Sequence, residues 1–278
     1  MRKLSLSLLE GTPALLAAHR GELPQRDDLC GAFCATLGLR AAGLRERGGE
    51  IIDQDTVALA AGSIVSAQSD RGSLPVGETG RRDYRLTLPL IEDARRSGTT
   101  PAGLARAVRE LSDGALEAVP MAGPWTAVAL AAAFDAAAEL ERPVTLIANI
   151  ATRHLWGTHA RADQLLGYLL EGRDEGPPAD WDVGHFVCVL ARVEGPRGSL
   201  YAIADTYPAL GAAGVYVQPA ERLALALQRP GTERGAPAGG ILAVADARDA
   251  DALRAAARAG GLREALWDNG TLTAPLAA

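Results

Sequence analysis

The first half of the chain carries apolar and small residues at helical spacing, interrupted by polar stretches that hold candidate helix caps. Residues 29–43 are apolar or small at most positions, which predicts a buried helix with Asp27 or Asp28 as its N-cap. Residues 67–98 mix glycine, proline, serine and charge, and are predicted to be mostly exposed loop. The other predicted helices are a short one from Asp53 or Asp55 to Gly62, one that begins at Thr99 or Thr100 with Pro101 in its first turn, and one from Trp125, after Pro124, to about Leu140.

The second half changes to the pattern of strands. RPVTLIANI is continuously apolar and β-branched, as in a buried strand, and VGHFVCVLARV and SLYAIADTY are two strands joined by EGPRG, a sequence that suits a hairpin. GVYVQ and GILAVAD predict two more strands, PAERLALALQ and ARDADALRAAARAGG predict helices, and TERGAPAGG predicts a flexible loop. The predicted fold is therefore α+β, with helices packed on an antiparallel sheet. We expect one domain over residues 1–278, with 1–142 a mainly helical half and 143–278 a mainly β half that ends in a helix.

Composition and charge narrow the class of protein. Of the 278 residues, 48% are hydrophobic and 22% charged, which is enough apolar material for a sizeable core. The net charge of −6 argues against nucleic acid or an anionic membrane as a partner. The N-terminal apolar run is broken at Glu10, Gly11 and Pro13, so we predict no signal peptide. Three cysteines make no disulfide framework, and a cytoplasmic location is expected.

The four histidines differ in what their sequence surroundings predict. His19 lies in a charged segment and is expected at the surface, and His154 and His159 are five residues apart, which is not a metal-binding spacing. His185 lies inside a predicted buried strand, where an imidazole needs polar partners. Asp205 ends the next strand of the hairpin, so an ordinary antiparallel register would place its carboxylate beside His185 and fix the imidazole tautomer.

Cys30 is the candidate nucleophile. It stands at the predicted start of the first buried helix, where free backbone N–H groups and the helix dipole stabilise a thiolate, and Gly31 would leave room for a substrate. Gln25 could donate from its amide to an oxyanion, together with the backbone N–H of Cys30. Taken singly, a helix cysteine and a strand histidine are more often buried core residues. Cys34 and Cys188 are interpreted in that way, with a resolving thiol for oxidised Cys30 as the alternative for Cys34.

The order of these residues resembles the papain-like cysteine peptidases, and most closely their C39 and C39-like branch. The resemblance covers roughly Leu23 to Val217 and rests on a glutamine, a Cys-Gly that opens a helix, a late Gly-His-Phe-Val strand and a strand that ends in aspartate. It implies a papain-like fold in which Cys30 is the nucleophile, His185 the general base and acid, Asp205 the orienting group and Gln25 the oxyanion donor. Gln25 precedes Cys30 by five residues, where the family more often has six.

Three functions are consistent with this sequence. The first is a thiol enzyme that cleaves a peptide or amide bond through an acyl-enzyme on Cys30. The second is an amide-forming acyltransferase of specialised-metabolite biosynthesis, with a carrier-protein thioester as the acyl donor, and the third is a catalytically silent binding protein of the same fold. No cofactor or metal is indicated, because GETG and GTERG lack the spacing of phosphate-binding loops. Residues 69–98 and 152–162 are the predicted walls of the substrate site, and the region after Pro219 is expected to be structural or a dimer surface.

Overall fold

The computed structural model describes residues 3–229 and 238–272, in which helices cover both faces of one sheet. The helices are α1 (Thr12–Glu22), α2 (Cys30–Ala41), α3 (Gln54–Ala61), α4 (Pro101–Leu111), α5 (Ala127–Ala138), α6 (Ala162–Glu171), α7 (Ala220–Leu227) and α8 (Ala250–Ala259). The strands are β1 (Ser5–Leu8), β2 (Glu46–Arg47), β3 (Glu50–Ile51), β4 (Val65–Ser66), β5 (Leu90–Ile91), β6 (Leu116–Met121), β7 (Thr145–Ala151), β8 (Gly184–Glu194), β9 (Ser199–Ala204), β10 (Val215–Pro219) and β11 (Gly240–Asp246).

Seven of the strands form a single sheet in the order β10-β9-β8-β7-β11-β6, with β1 paired to the far end of β8. Every pairing in this sheet is antiparallel. The predicted α+β class with an antiparallel sheet is thus confirmed. Strands β1 and β6 come from the first half of the chain, so residues 1–142 supply sheet as well as helices.

Alternate residues of the central strands pack into two separate hydrophobic clusters. Ile147 and Leu242 point to the face covered by α2, α3 and α4, whereas Leu146 and Ile241, their neighbours in sequence, point to the face covered by α5, α7 and α8. Because successive side chains of a strand point to opposite faces, strands buried on both sides must be apolar at nearly every position. This explains why all seven residues of β7 are buried and five of them are apolar, with Thr145 and Asn149 as the exceptions.

The capping residues predicted from the sequence are correct for some helices and wrong for others. Asp53 accepts a hydrogen bond from the Thr56 amide at the start of α3, and the hydroxyl of Thr100 accepts one from the Gly103 amide at the start of α4, as the sequence predicted. The expected caps Asp27 and Asp28 are wrong for α2, since Leu29 occupies its N-cap position without a side-chain cap. Helix α5 is capped by Thr126 and so begins after the predicted Trp125.

Residues 232–237 of the predicted loop TERGAPAGG lie outside the described residues, and its last residue, Gly240, begins β11. Within residues 3–229 and 238–272, no helix has both the length and the apolar character that crossing a membrane requires.

Candidate active site

Cys30 is the first residue of α2 and the one cysteine among the three that reaches solvent. Its position gives the thiol access to the N–H groups of the first helical turn, which have no acceptor within the helix. Cys34 and Cys188 are fully buried, and the Cys188 thiol donates to the backbone oxygen of Cys34 at 3.8 Å. Burial raises the pKa of Cys34, so both are core thiols, as predicted.

Gly31 has a packing role, and the prediction that it leaves room for a substrate is wrong. It is buried at the start of α2, and a Cβ there would lie 3.1 Å from Leu104 and 3.2 Å from Phe186. The absence of a side chain lets this end of the helix lie against α4 and β8. Gly31 therefore fixes the distance between Cys30 and the strand that carries His185.

His185 and Asp205 meet as the sequence predicted, at the ends of the neighbouring strands β8 and β9. The His185 Nε2 lies 2.9 Å from Asp205 Oδ1, and both side chains are buried. The other oxygen of Asp205, Oδ2, accepts from the Tyr216 hydroxyl at 2.6 Å, and Oδ1 also accepts from the Thr206 amide at 2.7 Å. With Nε2 facing the carboxylate, Nδ1 is the ring nitrogen left for Cys30, which lines the same cavity as His185 and helps to raise its pKa.

The charges of this cluster support one another. Burial by itself lowers the pKa of His185, but the Asp205 carboxylate and hydrogen bonds to Asp205 and Cys30 outweigh burial and raise that pKa to about 10. Burial by itself raises the pKa of Asp205, but the imidazolium and the hydrogen bonds from His185 and Tyr216 bring it below its usual value. The geometry therefore favours a charged imidazolium between the carboxylate and the thiol.

Gln25 is held at its carbonyl end. Its Oε1 accepts a hydrogen bond from the Thr206 hydroxyl, and its backbone N–H donates to the Thr206 oxygen at 3.0 Å. Because the amide oxygen is engaged by Thr206, the side-chain NH₂ is the end that remains for the cavity, which Gln25 lines together with Cys30. This is the orientation that an oxyanion donor needs. Thr206 was not predicted, because the contact of its hydroxyl with Gln25 joins residues that are 181 positions apart in the sequence.

Two aromatic rings cover the imidazole. Trp181 packs edge-on against His185 with ring centroids 4.9 Å apart, and Tyr207 lies parallel to it at 6.1 Å. Both also line the cavity. They exclude water from the imidazole and its carboxylate, which strengthens the interaction between the two groups.

The turn before Cys30 is fixed by two aspartates. Asp28 has a positive φ of 66°, and its Oδ2 accepts from the Ser66 amide at 2.7 Å. Asp27 accepts from the Arg81 amide at 2.8 Å. Burial raises the pKa of both carboxyl groups. The two side chains therefore join the turn to the loop of residues 66–81 in place of capping α2.

The cluster opens into a cavity of about 380 Å³. Residues 69–98 contribute to its wall as predicted, through Asp70, Ser73 and several residues near Gly98. The prediction for residues 152–162 is wrong, since the cavity wall includes none of them and Trp156 packs against Tyr168. The region after Pro219 is more than structural, because it adds Arg229, Asn269 and Thr271 to the wall.

His19 is also placed differently from its prediction. It is fully buried, its Nε2 lies 2.6 Å from the backbone oxygen of Asp205, and burial lowers its pKa. Its ring meets Phe33 of α2 edge-on. His19 therefore supports the backbone that carries Asp205. Of its charged neighbours, Arg20 is exposed, whereas Glu22 is buried on the same face of α1 and paired with Arg40 at 2.8 Å.

No group of three or more His, Cys, Asp or Glu side chains that could hold a metal ion occurs among residues 3–229 and 238–272. The site of this α+β protein therefore has Cys30 and His185 in the wall of one cavity, and Asp205 buried beside His185. The chain belongs to a family of unknown function, DUF6885, whose sequence profile matches residues 9–268. No curated protein matches the chain in a sequence search.

Proposed function

We propose that this chain is a papain-like thiol enzyme that cleaves a peptide or amide bond through an acyl thioester on Cys30. The observation that carries the proposal is that Cys30, His185 and Gln25 line one cavity, with His185 hydrogen-bonded to Asp205. A nucleophile, a base within hydrogen-bond reach and a group that orients the base are what acyl transfer to a thiol requires. A similar fold alone would not support this function, because one fold can serve many functions.

The first half of the reaction acylates the enzyme. The Cys30 thiolate attacks the carbonyl carbon, and the oxyanion that forms accepts from the Gln25 NH₂ and the backbone N–H of Cys30. The carbon–nitrogen bond then breaks, and the His185 imidazolium gives its proton to the leaving amine. Asp205 holds the ring in place through Nε2 and stabilises its charged form.

The second half releases the acyl group. Neutral His185 takes a proton from water, the hydroxide adds to the thioester carbonyl, and the carbon–sulfur bond breaks to return the Cys30 thiolate. An amine that takes the place of water would give an amide by the same steps. The acceptor therefore distinguishes a hydrolase from an acyltransferase, and product identity is the readout.

The first test is selective alkylation by iodoacetamide near neutral pH, followed by peptide mapping. We expect one adduct, on Cys30, because Cys34 and Cys188 are fully buried. Cys30→Ser should remove the adduct and His185→Gln should slow it, while Cys34→Ser is the matched control and should leave it unchanged. Labelling of Cys34, or of no cysteine in the folded protein, would refute the assignment of Cys30 as nucleophile.

The second test follows the acyl group. The protein is incubated with N-acetylcysteamine thioesters and with peptide panels, and the mass of Cys30 is followed with and without added amines. We expect a transient acyl increment that decays to free acid in water. Decay only in the presence of amine would instead identify an acyltransferase. A protein whose Cys30 is alkylated but never acylated would be a binding protein of this fold.

A further inference from the structure

Arg229 lines the same cavity as Cys30 and His185, and the reaction above gives it no task. Its Nη1 donates to Asn149 Oδ1 at 3.2 Å. No carboxylate of residues 3–229 or 238–272 forms an ion pair with it, and its remaining N–H groups have no acceptor in the same ranges. Burial lowers the pKa of its guanidinium. A half-buried arginine without a counter-ion is costly, which points to an anionic ligand that completes it.

The surroundings of Arg229 hold it in place at the cavity wall. Asn149 Oδ1 also accepts from Trp267 Nε1 at 3.0 Å, and Asn149 Nδ2 donates to the backbone oxygen of His185 at 3.1 Å. A Cβ on Gly184 would lie 2.3 Å from Arg229 Nη2, so the guanidinium occupies the space that a side chain before His185 would fill. The arginine is thus positioned by the same strands that position His185.

The charge at this wall is not balanced by the other charged groups of the cavity. Arg95 also lines the cavity, but it is exposed and paired with Asp93 at 3.0 Å. Asp27 and Asp28 are bound to the loop of residues 66–81. Asp70, which also lines the cavity, accepts from the Gly72 amide at 3.0 Å. The positive charge of Arg229 therefore has no carboxylate partner among the described residues of the cavity wall, and the one charge there that favours it is that of Cys30.

We propose that Arg229 binds a carboxylate of the acyl donor, so that the site prefers an anionic acyl donor over its neutral isostere. An arginine fork matches a carboxylate through two parallel hydrogen bonds, and the edge of Arg229 not used by Asn149 can supply them. The inference rests on the proposed function, because it places the carboxylate on a molecule that reacts with Cys30.

Matched pairs of alkylating agents test this preference without knowledge of the substrate. Iodoacetate is compared with iodoacetamide, and bromoacetylglycine with its amide for longer reach. In each case the Cys30 sulfur forms a bond to carbon and the halide leaves with the electron pair. For at least one pair, we expect the ratio of the anionic to the neutral rate to be roughly tenfold higher in the wild type than in Arg229→Gln. Arg229→Lys should keep part of the preference.

Arg95→Gln is the matched control, because it removes the same charge from the same cavity and should leave the ratio unchanged. The rate with the neutral reagent reports whether the site of each variant is intact. A Cys30 that reacts with neither member of a pair would overturn the proposed function and this inference together. The inference alone would be overturned if Cys30 reacts but the ratio of anionic to neutral rates is, for both reagent pairs, the same in wild type and Arg229→Gln. An equal fall of this ratio in Arg95→Gln would also overturn it.

Discussion

At the scale of single residues, the hydroxyl of Thr206 decides which end of the Gln25 amide remains for the cavity. It donates to the amide oxygen of Gln25, and the Thr206 backbone N–H donates to Asp205. One residue therefore joins the group that would stabilise the oxyanion to the group that orients His185. Under the proposed function, this link would hold Gln25 in place as an oxyanion donor although it lies five residues before Cys30 in the sequence.

Replacement of Gln25 separates oxyanion stabilisation from thiol reactivity. In Gln25→Ala we expect acylation of Cys30 by thioesters to fall by about 10²-fold, because one oxyanion donor is lost. Alkylation by iodoacetamide forms no oxyanion, so its rate should stay within about twofold of wild type, and it serves as the internal control. Thr206→Val should give a smaller loss of acylation. Equal losses in acylation and alkylation would mean that Gln25 acts only on the fold of the turn.

Some residues of the site could be predicted from the sequence and others could not. Cys30, His185 and Asp205 could be predicted from the sequence. A cysteine at the start of a helix, and a histidine and an aspartate on adjacent strands, indicate a site by their residue types and their positions in predicted elements. Thr206 and Arg229 could not, since each acquires its role from a contact with a residue 80 or more positions away. His19 was misplaced for the same reason, as its partner is the backbone of residue 205.

At the scale of elements, the start of α2 depends on the left-handed conformation of Asp28. This conformation is unfavourable for most residues and tolerated by Asp, Asn and Gly. The Asp28 carboxylate also satisfies the Ser66 amide. The turn therefore has two separate requirements, a backbone conformation and an acceptor, and both set the position of Cys30 two residues later.

A series at position 28 tests the two requirements separately. Asp28→Asn tolerates the left-handed conformation and keeps a side-chain acceptor, so it should leave the free energy of unfolding close to wild type. Asp28→Gly tolerates the conformation but lacks the acceptor, so its free energy of unfolding should fall by about 1 kcal/mol. Asp28→Ala has neither the tolerance nor the acceptor, so its free energy of unfolding should fall by about 2 to 3 kcal/mol. Urea unfolding measures the series. An Asp28→Ala variant as stable as Asp28→Asn would contradict this account of the turn.

Strands and helices were predictable where their signals are local. Helix α4 has its cap and proline in adjacent residues, and β7 has five apolar residues among its seven buried positions. Strand β6 was missed, because Glu117 and Pro120 interrupt its apolar pattern and its pairing with β11 is what makes it a strand. Strand β1 was missed since its residues are largely exposed and its one partner among the described strands is the end of β8. Tertiary pairing outweighed local propensity in both cases.

At the scale of the whole molecule, the sheet brings together residues that are far apart in sequence. The described chain contributes to the cavity from α2, from the loop before α4, from β8 and from the segment after β11. Because one sheet with helices on both faces joins these segments, the site and the core share their stability. The ionisation of the buried pair should therefore appear in the unfolding of the entire protein.

The pH dependence of unfolding tests this coupling. The pKa of His185 is 6.5 in the unfolded chain and about 10 in the folded protein. Between these values the folded state holds a proton that the unfolded state has lost, so the contribution of His185 is complete below pH 6.5 and disappears as the pH rises toward 10. Asp205 has a lowered pKa, and its contribution is present above 3.8 and is lost as the pH falls below that value.

We therefore expect the free energy of unfolding of the wild type, measured by urea titration, to decrease from pH 6.5 to pH 10 relative to His185→Gln. Asp205→Asn should lose most of this decrease while keeping the imidazole, because the neutral amide no longer raises the pKa of His185. The second variant distinguishes the coupled pair from a general alkaline effect on the fold. A wild type and an Asp205→Asn variant with parallel pH profiles over this range would show that the carboxylate does not hold a charged imidazolium in the folded protein, and the thiol would then lack the partner that its proposed chemistry requires.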